Sequence, residues 1–132
     1  MKRVPSRPMR VLIVDDELSV RKFVERVLGE AGYTIASASD GPEALAVAEK
    51  LEHFDILVTD VMMPQMTGDE LARRLRAAHP GLKILYLTGF SDRLFKEKAT
   101  LWADEAFLDK PCSVKGLRQA VSLLLYGRVD AP

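Results

Sequence analysis

The sequence contains one cysteine, no excess of either charge and no long hydrophobic run. The lone Cys112 cannot form an internal disulfide and fits a reducing compartment. The 19 acidic and 19 basic residues balance, so charge gives no reason to propose nucleic acid or an anionic membrane as the main partner. The first apolar run, VLIV at 11–14, is too short for a signal peptide or a membrane span. These absences favour a soluble cytoplasmic protein.

Short apolar runs alternate along the chain with segments of helical spacing. The apolar runs predict five strands, at residues 10–14, 33–38, 55–59, 83–88 and 105–108. Apolar residues three or four apart predict a helix after each strand, the fourth of them at 92–102. Asp40 and Ser113 are expected to cap the second and the last helix. This alternation predicts an α/β fold, a flavodoxin-like three-layer sandwich with a parallel sheet in the order 2-1-3-4-5.

The domain organisation predicted from this pattern is simple. Residues 1–9 contain two prolines and no periodicity, which indicates a flexible leader. The domain itself is expected over 10–126, followed by a C-terminal tail at 127–132. No internal repeat or low-complexity tract interrupts the pattern.

Polar residues that could bind a ligand or take part in a reaction lie at the ends of the predicted strands. Asp15 and Asp16 follow the first strand, Asp60 follows the third, Thr88 ends the fourth, and Lys110 lies just past the fifth. The carboxyl ends of neighbouring parallel strands border one crevice, where such sheets bind ligands. We therefore expect three carboxylates, a hydroxyl and an ammonium group to share a pocket.

The charges in such a pocket suggest its chemistry. Three adjacent carboxylates repel one another, and one would stay protonated unless a cation were present. Mg²⁺ prefers oxygen ligands and binds through one or two carboxylates together with phosphate oxygens. With Lys110 as a second positive charge, the site suits phosphoryl transfer to a carboxylate nucleophile. Asp60 is our candidate, because a buried strand would otherwise gain nothing by ending in a charge.

Four fragments, in order and suitably separated, resemble those of response-regulator receiver domains of the CheY type. They are VDDE (14–17), TDVMMPQMTG (59–68), LTG (87–89) and FLDKP (107–111). The resemblance extends from about Arg10 to Tyr126. It implies a two-component phosphoacceptor switch rather than a classical enzyme, with Mg²⁺ as cofactor. A histidine kinase or a histidine phosphotransfer protein would then be the phosphoryl donor.

The resemblance also implies the metal ligands. Asp60, the implied phosphoacceptor, and Asp16 would bind Mg²⁺ directly. Asp15 would act through a water molecule, and the backbone carbonyl of Met62 would be a further ligand.

A conformational switch is implied in the same way. Lys110 would pair with Asp60 and then with the phosphoryl group, and its peptide bond to Pro111 would be cis. Thr88 would swing inward to hydrogen-bond a phosphoryl oxygen, and Phe107 would follow it. This movement would reshape the surface of the predicted helix 92–102, the fifth strand and the last helix. A downstream protein or a second copy of the chain would bind there.

Two departures from the family pattern bear on function. In receivers, the side chains at the positions of Met62 and Phe90 line the approach of attacking water, and both are apolar in this sequence. Neither offers an acid, a base or an amide to orient that water, so we expect slow self-dephosphorylation. Trp102 gives the predicted helix 92–102 an aromatic character, which fits either a cover for the core edge or a docking surface.

Simpler explanations exist for each residue taken alone. Asp15 and Asp16 could cap the first helix, Lys110 could be solvated, and Phe107 could belong to the core. An aspartate-nucleophile phosphatase would need a second acid where Met62 stands. A degenerate receiver used only for binding would not need the full set of phosphorylation residues. We expect a stand-alone receiver that acts through protein–protein contact; a receiver fragment of a larger regulator or hybrid kinase is the alternative.

Overall fold

The computed structural model describes residues 8–89 and 104–127. Five strands pair in parallel in the order β2-β1-β3-β4-β5. The strands are β1 (Arg10–Val14), β2 (Thr34–Ala38), β3 (Ile56–Asp60), β4 (Lys83–Thr88) and β5 (Glu105–Asp109). This order and the α/β class confirm the prediction. Each predicted strand boundary lies within one residue of the observed one.

Four helices cover the sheet in the described residues. They are α1 (Leu18–Glu30), α2 (Gly41–Lys50), α3 (Gly68–Ala78) and α4 (Val114–Tyr126). Both predicted caps are present, since Asp40 Oδ1 accepts from the Glu43 N–H at 2.8 Å and Ser113 Oγ accepts from the Gly116 N–H at 2.9 Å. The predicted helix at 92–102 lies outside the described residues. So do most of the predicted leader and of the tail.

Two apolar clusters lie on opposite faces of the sheet, because side chains alternate along each strand. One joins Leu12, Leu57, Ile84 and Tyr86 to residues of α2 and α3. The other packs strand residues against α1 and α4; its buried members include Ile13, Val58, Leu85, Leu87, Val24, Leu28, Leu117 and Val121.

Cys112 is partly buried and packs at the margin of the α1–α4 cluster. Burial raises the pKa of its thiol, with smaller opposing effects from a backbone hydrogen bond and from Lys110. A raised pKa leaves less thiolate and therefore a less reactive sulfur. No helix in the described parts of the chain is long and apolar enough to span a bilayer.

Candidate functional site

The strand order brings three residues distant in sequence together at the carboxyl edge of the sheet. Asp15 directly follows β1, Asp60 ends β3, and Lys110 directly follows β5. Lys110 Nζ lies 3.0 Å from Asp15 Oδ2 and 3.1 Å from Asp60 Oδ1. Both carboxylates are buried, and the lysine side chain is 15% exposed. Lys110 is thus an internal ion-pair partner and not a solvated lysine.

Three carboxylates are close enough to share one cation. Asp15, Asp16 and Asp60 each offer an oxygen, and these oxygens lie within 4.8 Å of one another. Asp16 is exposed, so the group opens to solvent on that side. A fourth acid, Glu17, places Oε1 at 3.6 Å from Lys110 Nζ.

The donor set fits a hard divalent cation. All three side chains supply carboxylate oxygen, the ligand that Mg²⁺ prefers. Asp15 Oδ1 accepts the Glu17 N–H at 2.9 Å. Asp15 Oδ2 is buried and makes an ion pair with Lys110, but it receives no directional hydrogen bond within the described residues. An under-satisfied buried carboxylate oxygen is the feature that a bound cation would complete.

Burial and mutual repulsion shift the acidity of the pocket. Burial and then the charge of Asp15 raise the pKa of Asp60 to about 7, although Lys110 partly offsets them. Burial also raises the pKa of Asp15 against the opposing effects of the Glu17 N–H and Lys110. Burial alone would lower the pKa of Lys110, but its contacts with Asp15 and Asp60 together raise it. A nearby cation would therefore favour the ionised form of Asp60, which is the nucleophilic form.

The loop after β3 fixes the backbone of Asp60. Thr59 Oγ1 donates to the Asp60 carbonyl oxygen at 3.0 Å, and the Gly68 N–H donates to the Val61 carbonyl at 2.7 Å. A Cβ atom on Gly68 would overlap the Asp60 carbonyl oxygen. The sequence shows Gly68 as a loop glycine, but only the fold reveals that it allows this close approach.

Two acidic residues, Asp15 and Glu17, lie at the start of α1. Glu17 is the N-cap residue of α1, and its side chain makes no capping hydrogen bond. Asp15 does accept the Glu17 N–H, but this N–H belongs to the N-cap residue itself, so neither Asp15 nor Asp16 is the cap of α1. That contact uses one oxygen of Asp15 and leaves the other directed towards Lys110.

Thr88 and Phe107, the residues for which the resemblance implies a switch, each contact a neighbouring side chain. The buried Thr88 hydroxyl donates to Asp109 Oδ1 at 2.9 Å. Phe107 is half-buried on the α2–α3 face, with its ring centroid 5.7 Å from that of Tyr86. The peptide bond between Lys110 and Pro111 is cis, as the resemblance implied.

The methionines of the loop divide between core and solvent. Met63 and Met66 are buried in the α2–α3 cluster, whereas Met62 is 54% exposed. Phe90 and Trp102 lie outside the described residues.

The family model for the response regulator receiver domain matches residues 11–122. The chain belongs to the response regulator receiver family. Receivers are phosphoacceptor switches of two-component signalling and generally use Mg²⁺, which agrees with the acidic group found here.

Two similar proteins differ in how much of their length this chain covers. It is 40% identical over 116 residues to the sensor kinase CckA of Brucella abortus, covering 87% of this chain and 12% of that protein. It is 33% identical to the response regulator receiver protein CpdR of the same organism, covering 88% of this chain and 96% of that protein. The chain thus matches CpdR over nearly its whole length but only a small part of CckA.

A solved structure agrees with the sequence matches. The chemotaxis protein CheY4 of Vibrio cholerae superimposes with a TM-score of 0.81 at 35% identity. The match covers 90% of this chain and 100% of that structure. The receiver fold is therefore shared over nearly the full length of both.

Proposed function

We propose that Asp60 is the phosphoacceptor of this receiver and takes its phosphoryl group from a phosphohistidine. The donor would be a histidine kinase or a histidine phosphotransfer protein. The observation that carries the proposal is the position of Lys110 Nζ, 3.1 Å from Asp60 and 3.0 Å from Asp15 within a group of three acids. That arrangement supplies a nucleophile beside fixed positive charge, as transfer to a carboxylate requires.

Four groups would hold the magnesium ion. Asp16 and Asp60 would be direct ligands, Asp15 would act through water, and the Met62 backbone carbonyl would complete the protein's share. When bound, Mg²⁺ neutralises charge on the phosphoryl oxygens and on the carboxylates. The under-satisfied Asp15 Oδ2 and the clustered carboxylate oxygens support this assignment.

The protein's own groups perform the transfer mainly by position. A carboxylate oxygen of Asp60 forms the new P–O bond as the P–N bond to the donor histidine breaks. Lys110 then pairs with the phosphoryl group. Thr88 leaves Asp109, donates its hydroxyl to a phosphoryl oxygen, and Phe107 follows it inward.

The switch would change a binding surface made of segment 92–102, β5 and α4. Its target would be a downstream protein or a second copy of the chain, with no direct role for nucleic acid or membrane. In this proposal the chain is not a classical enzyme, because its own carboxylate is the reactant. We expect a cytoplasmic location, since one cysteine suits a reducing compartment.

We further propose that the protein acts as a stand-alone receiver, with a leader at 1–9, the domain at 10–126 and a tail at 127–132. The match to 96% of CpdR supports this view. A receiver excised from a hybrid kinase is the second candidate, because the similarity to part of CckA favours it.

Incubation with acetyl phosphate and Mg²⁺, followed by intact-mass spectrometry, tests the assignment. The wild-type protein is expected to gain one phosphoryl group, and Asp60→Asn none. Asp69→Asn is the control, because Asp69 lies in the first turn of α3 and should be phosphorylated like wild type. Phosphorylation of the Asp60→Asn protein at an unchanged level would refute the proposal.

Self-dephosphorylation is expected to be slow, with a phosphoryl half-life well beyond seconds in Mg²⁺. The exposed Met62 side chain near the pocket cannot orient an attacking water. Met62→Asn, which adds an amide, should shorten the half-life several-fold when loss of the phosphoryl mass is followed over time. Leu18→Asn, at another exposed apolar residue, should have little effect. A wild-type half-life of seconds would contradict the expectation.

A further inference from the structure

A partly buried ion pair connects α3 to the start of β5, away from the proposed phosphoacceptor. Arg76 Nη1 donates to Glu105 Oε2 at 2.8 Å, with the two side chains only 20% and 8% exposed. The rest of the guanidinium is held as well, because Nε and Nη2 donate to the Leu82 carbonyl at 3.1 and 2.9 Å. The planar arginine thus fixes Glu105 relative to both α3 and the start of β4.

Glu105 lies on the same face of the sheet as the ring pair of Phe107 and Tyr86. In the register of β4 and β5, Ile84 lies opposite Glu105 and Tyr86 lies opposite Phe107. Residues two apart on a strand share a face. The Tyr86 ring is buried and packs against Phe107 at a 5.7 Å centroid distance.

Tyr86 also responds electrostatically to Glu105. Burial raises the pKa of Tyr86, and the charge of Glu105 is the next largest cause, with a side-chain hydrogen bond between the two as a smaller one. The Glu105 carboxylate thus pairs with Arg76, and its charge acts on the tyrosine whose ring packs against Phe107.

The helix that carries Arg76 begins at the phosphoacceptor. The first residue of α3, Gly68, approaches the Asp60 carbonyl so closely that no Cβ would fit. Arg76 lies two turns further along the same helix. One rigid element thus touches the pocket at one end and the Glu105 carboxylate at the other.

We propose that Glu105 is a positioning residue that holds Phe107 in its resting place through Arg76 and Tyr86. This inference rests on the proposed function, in which Phe107 moves inward after Asp60 is phosphorylated. The ion pair stabilises the unphosphorylated packing, so it opposes the switch. A ligand that favours the inward position of Phe107 must use part of its binding free energy to offset the stabilisation by this ion pair.

Removal of the Glu105 charge should therefore ease the switch. Glu105→Gln is expected to tighten the binding of beryllofluoride with Mg²⁺, a phosphoryl analogue, by about two- to tenfold, the range for one aromatic pair. Tyr86→Phe keeps the ion pair and the ring but removes the hydroxyl, and should act in the same direction with a smaller effect.

Asp104→Asn is the matched control. Asp104 precedes Glu105 and pairs with Lys83 at 2.6 Å, but these side chains are 39% and 32% exposed. An exposed pair contributes little, so this variant should bind beryllofluoride like wild type.

Protein labelled with 4-fluorophenylalanine provides a direct readout by fluorine NMR, with the Phe107 signal assigned from Phe107→Leu. Without ligand, Glu105→Gln and Tyr86→Phe should move this signal towards its position in the beryllofluoride-bound wild type, and Asp104→Asn should not. Merely lower stability would not move the signal in that direction.

Several outcomes would overturn the inference. They are an unmoved Phe107 signal in Tyr86→Phe, an effect of Asp104→Asn equal to that of Glu105→Gln, or weaker beryllofluoride binding in either test variant. If Glu105→Gln fails to fold, Tyr86→Phe decides. If wild type binds no beryllofluoride, the proposed function fails; a Phe107 signal that stays unmoved in both unliganded test variants would separately refute the link between Glu105 and Phe107.

Discussion

Without Mg²⁺ at pH 8, the Asp60→Asn protein is expected to be more stable than wild type by about 2 kcal/mol. The ionised Asp60 lowers the free energy of unfolding at this pH, because burial and the charge of Asp15 raise its pKa from 3.8 to about 7. A rise of that size would be worth about 4 kcal/mol if fully expressed. We expect about half of it, since Lys110 loses one of its carboxylate partners in the variant.

The sign follows from proton binding. Below pH 3.8 the carboxyl is protonated in both the folded and the unfolded state, and between pH 3.8 and about 7 the folded state holds its proton more tightly. The stabilisation from this group is therefore complete below pH 3.8 and lost as the pH rises through 7. The difference between Asp60→Asn and wild type should grow with pH over this window.

Urea unfolding at several pH values, in EDTA, measures this difference. Glu52→Gln is the control, because the Glu52 side chain is exposed and lies outside the acidic group; this change should alter stability by no more than about 0.5 kcal/mol. Added Mg²⁺ should stabilise wild type at pH 8 and have a weaker effect on Asp60→Asn, which has lost a proposed ligand. A variant less stable than wild type at pH 8 would show that the carboxylate is not strained.

Gly68→Ala is expected to destabilise the protein by about 2–3 kcal/mol. The new Cβ would overlap the Asp60 carbonyl oxygen and come within 3.2 Å of Thr59 Cγ2. Because alanine is the better helix former, the same change elsewhere at a helix start would be neutral or favourable. The steric cost should displace the backbone of Asp60 and so slow phosphorylation as well.

Gly81→Ala is the matched change for this test. A Cβ at Gly81 would meet no atom within 4 Å, and its φ is not in the positive range that strains other residues. It should therefore leave stability unchanged or raise it by about 0.5 kcal/mol. Thermal and urea unfolding, together with acetyl phosphate labelling rates, compare the two. Equal stability of both variants would show that the loop relaxes freely away from Asp60.

The strands were predictable because they are short and apolar: their side chains point alternately to the two faces of the sheet, and both faces are covered by helices. Some predicted strand ends differ from the observed ones by one residue. Asp60 was expected just after its strand, and it is the last residue of β3. Strand order and the rule for ligand sites then placed Asp15, Asp60 and Lys110 at one edge. This part of the site follows from topology, which local patterns determine well.

Other features depend on contacts that no local pattern encodes. The sequence does not show that Asp15 is buried and Asp16 exposed, because both follow the same strand. Arg76 and Glu105 are 29 residues apart and on different elements. The direction of the Thr88 hydroxyl towards Asp109 likewise depends on how β4 and β5 pair. Such side-chain contacts depend on how the helices and strands pack, and they cannot be predicted from the spacing of residues along the chain.

The central position of β3 has a consequence for motion. It pairs with β1 on one side and β4 on the other, and every residue in it is buried. Breathing of the sheet should begin at its margins, and the amide protons of β3 should be among the last to exchange with deuterium. The carboxylate at its end is thus anchored to the slowest-opening part of the molecule, whereas β5 lies at an edge of the sheet.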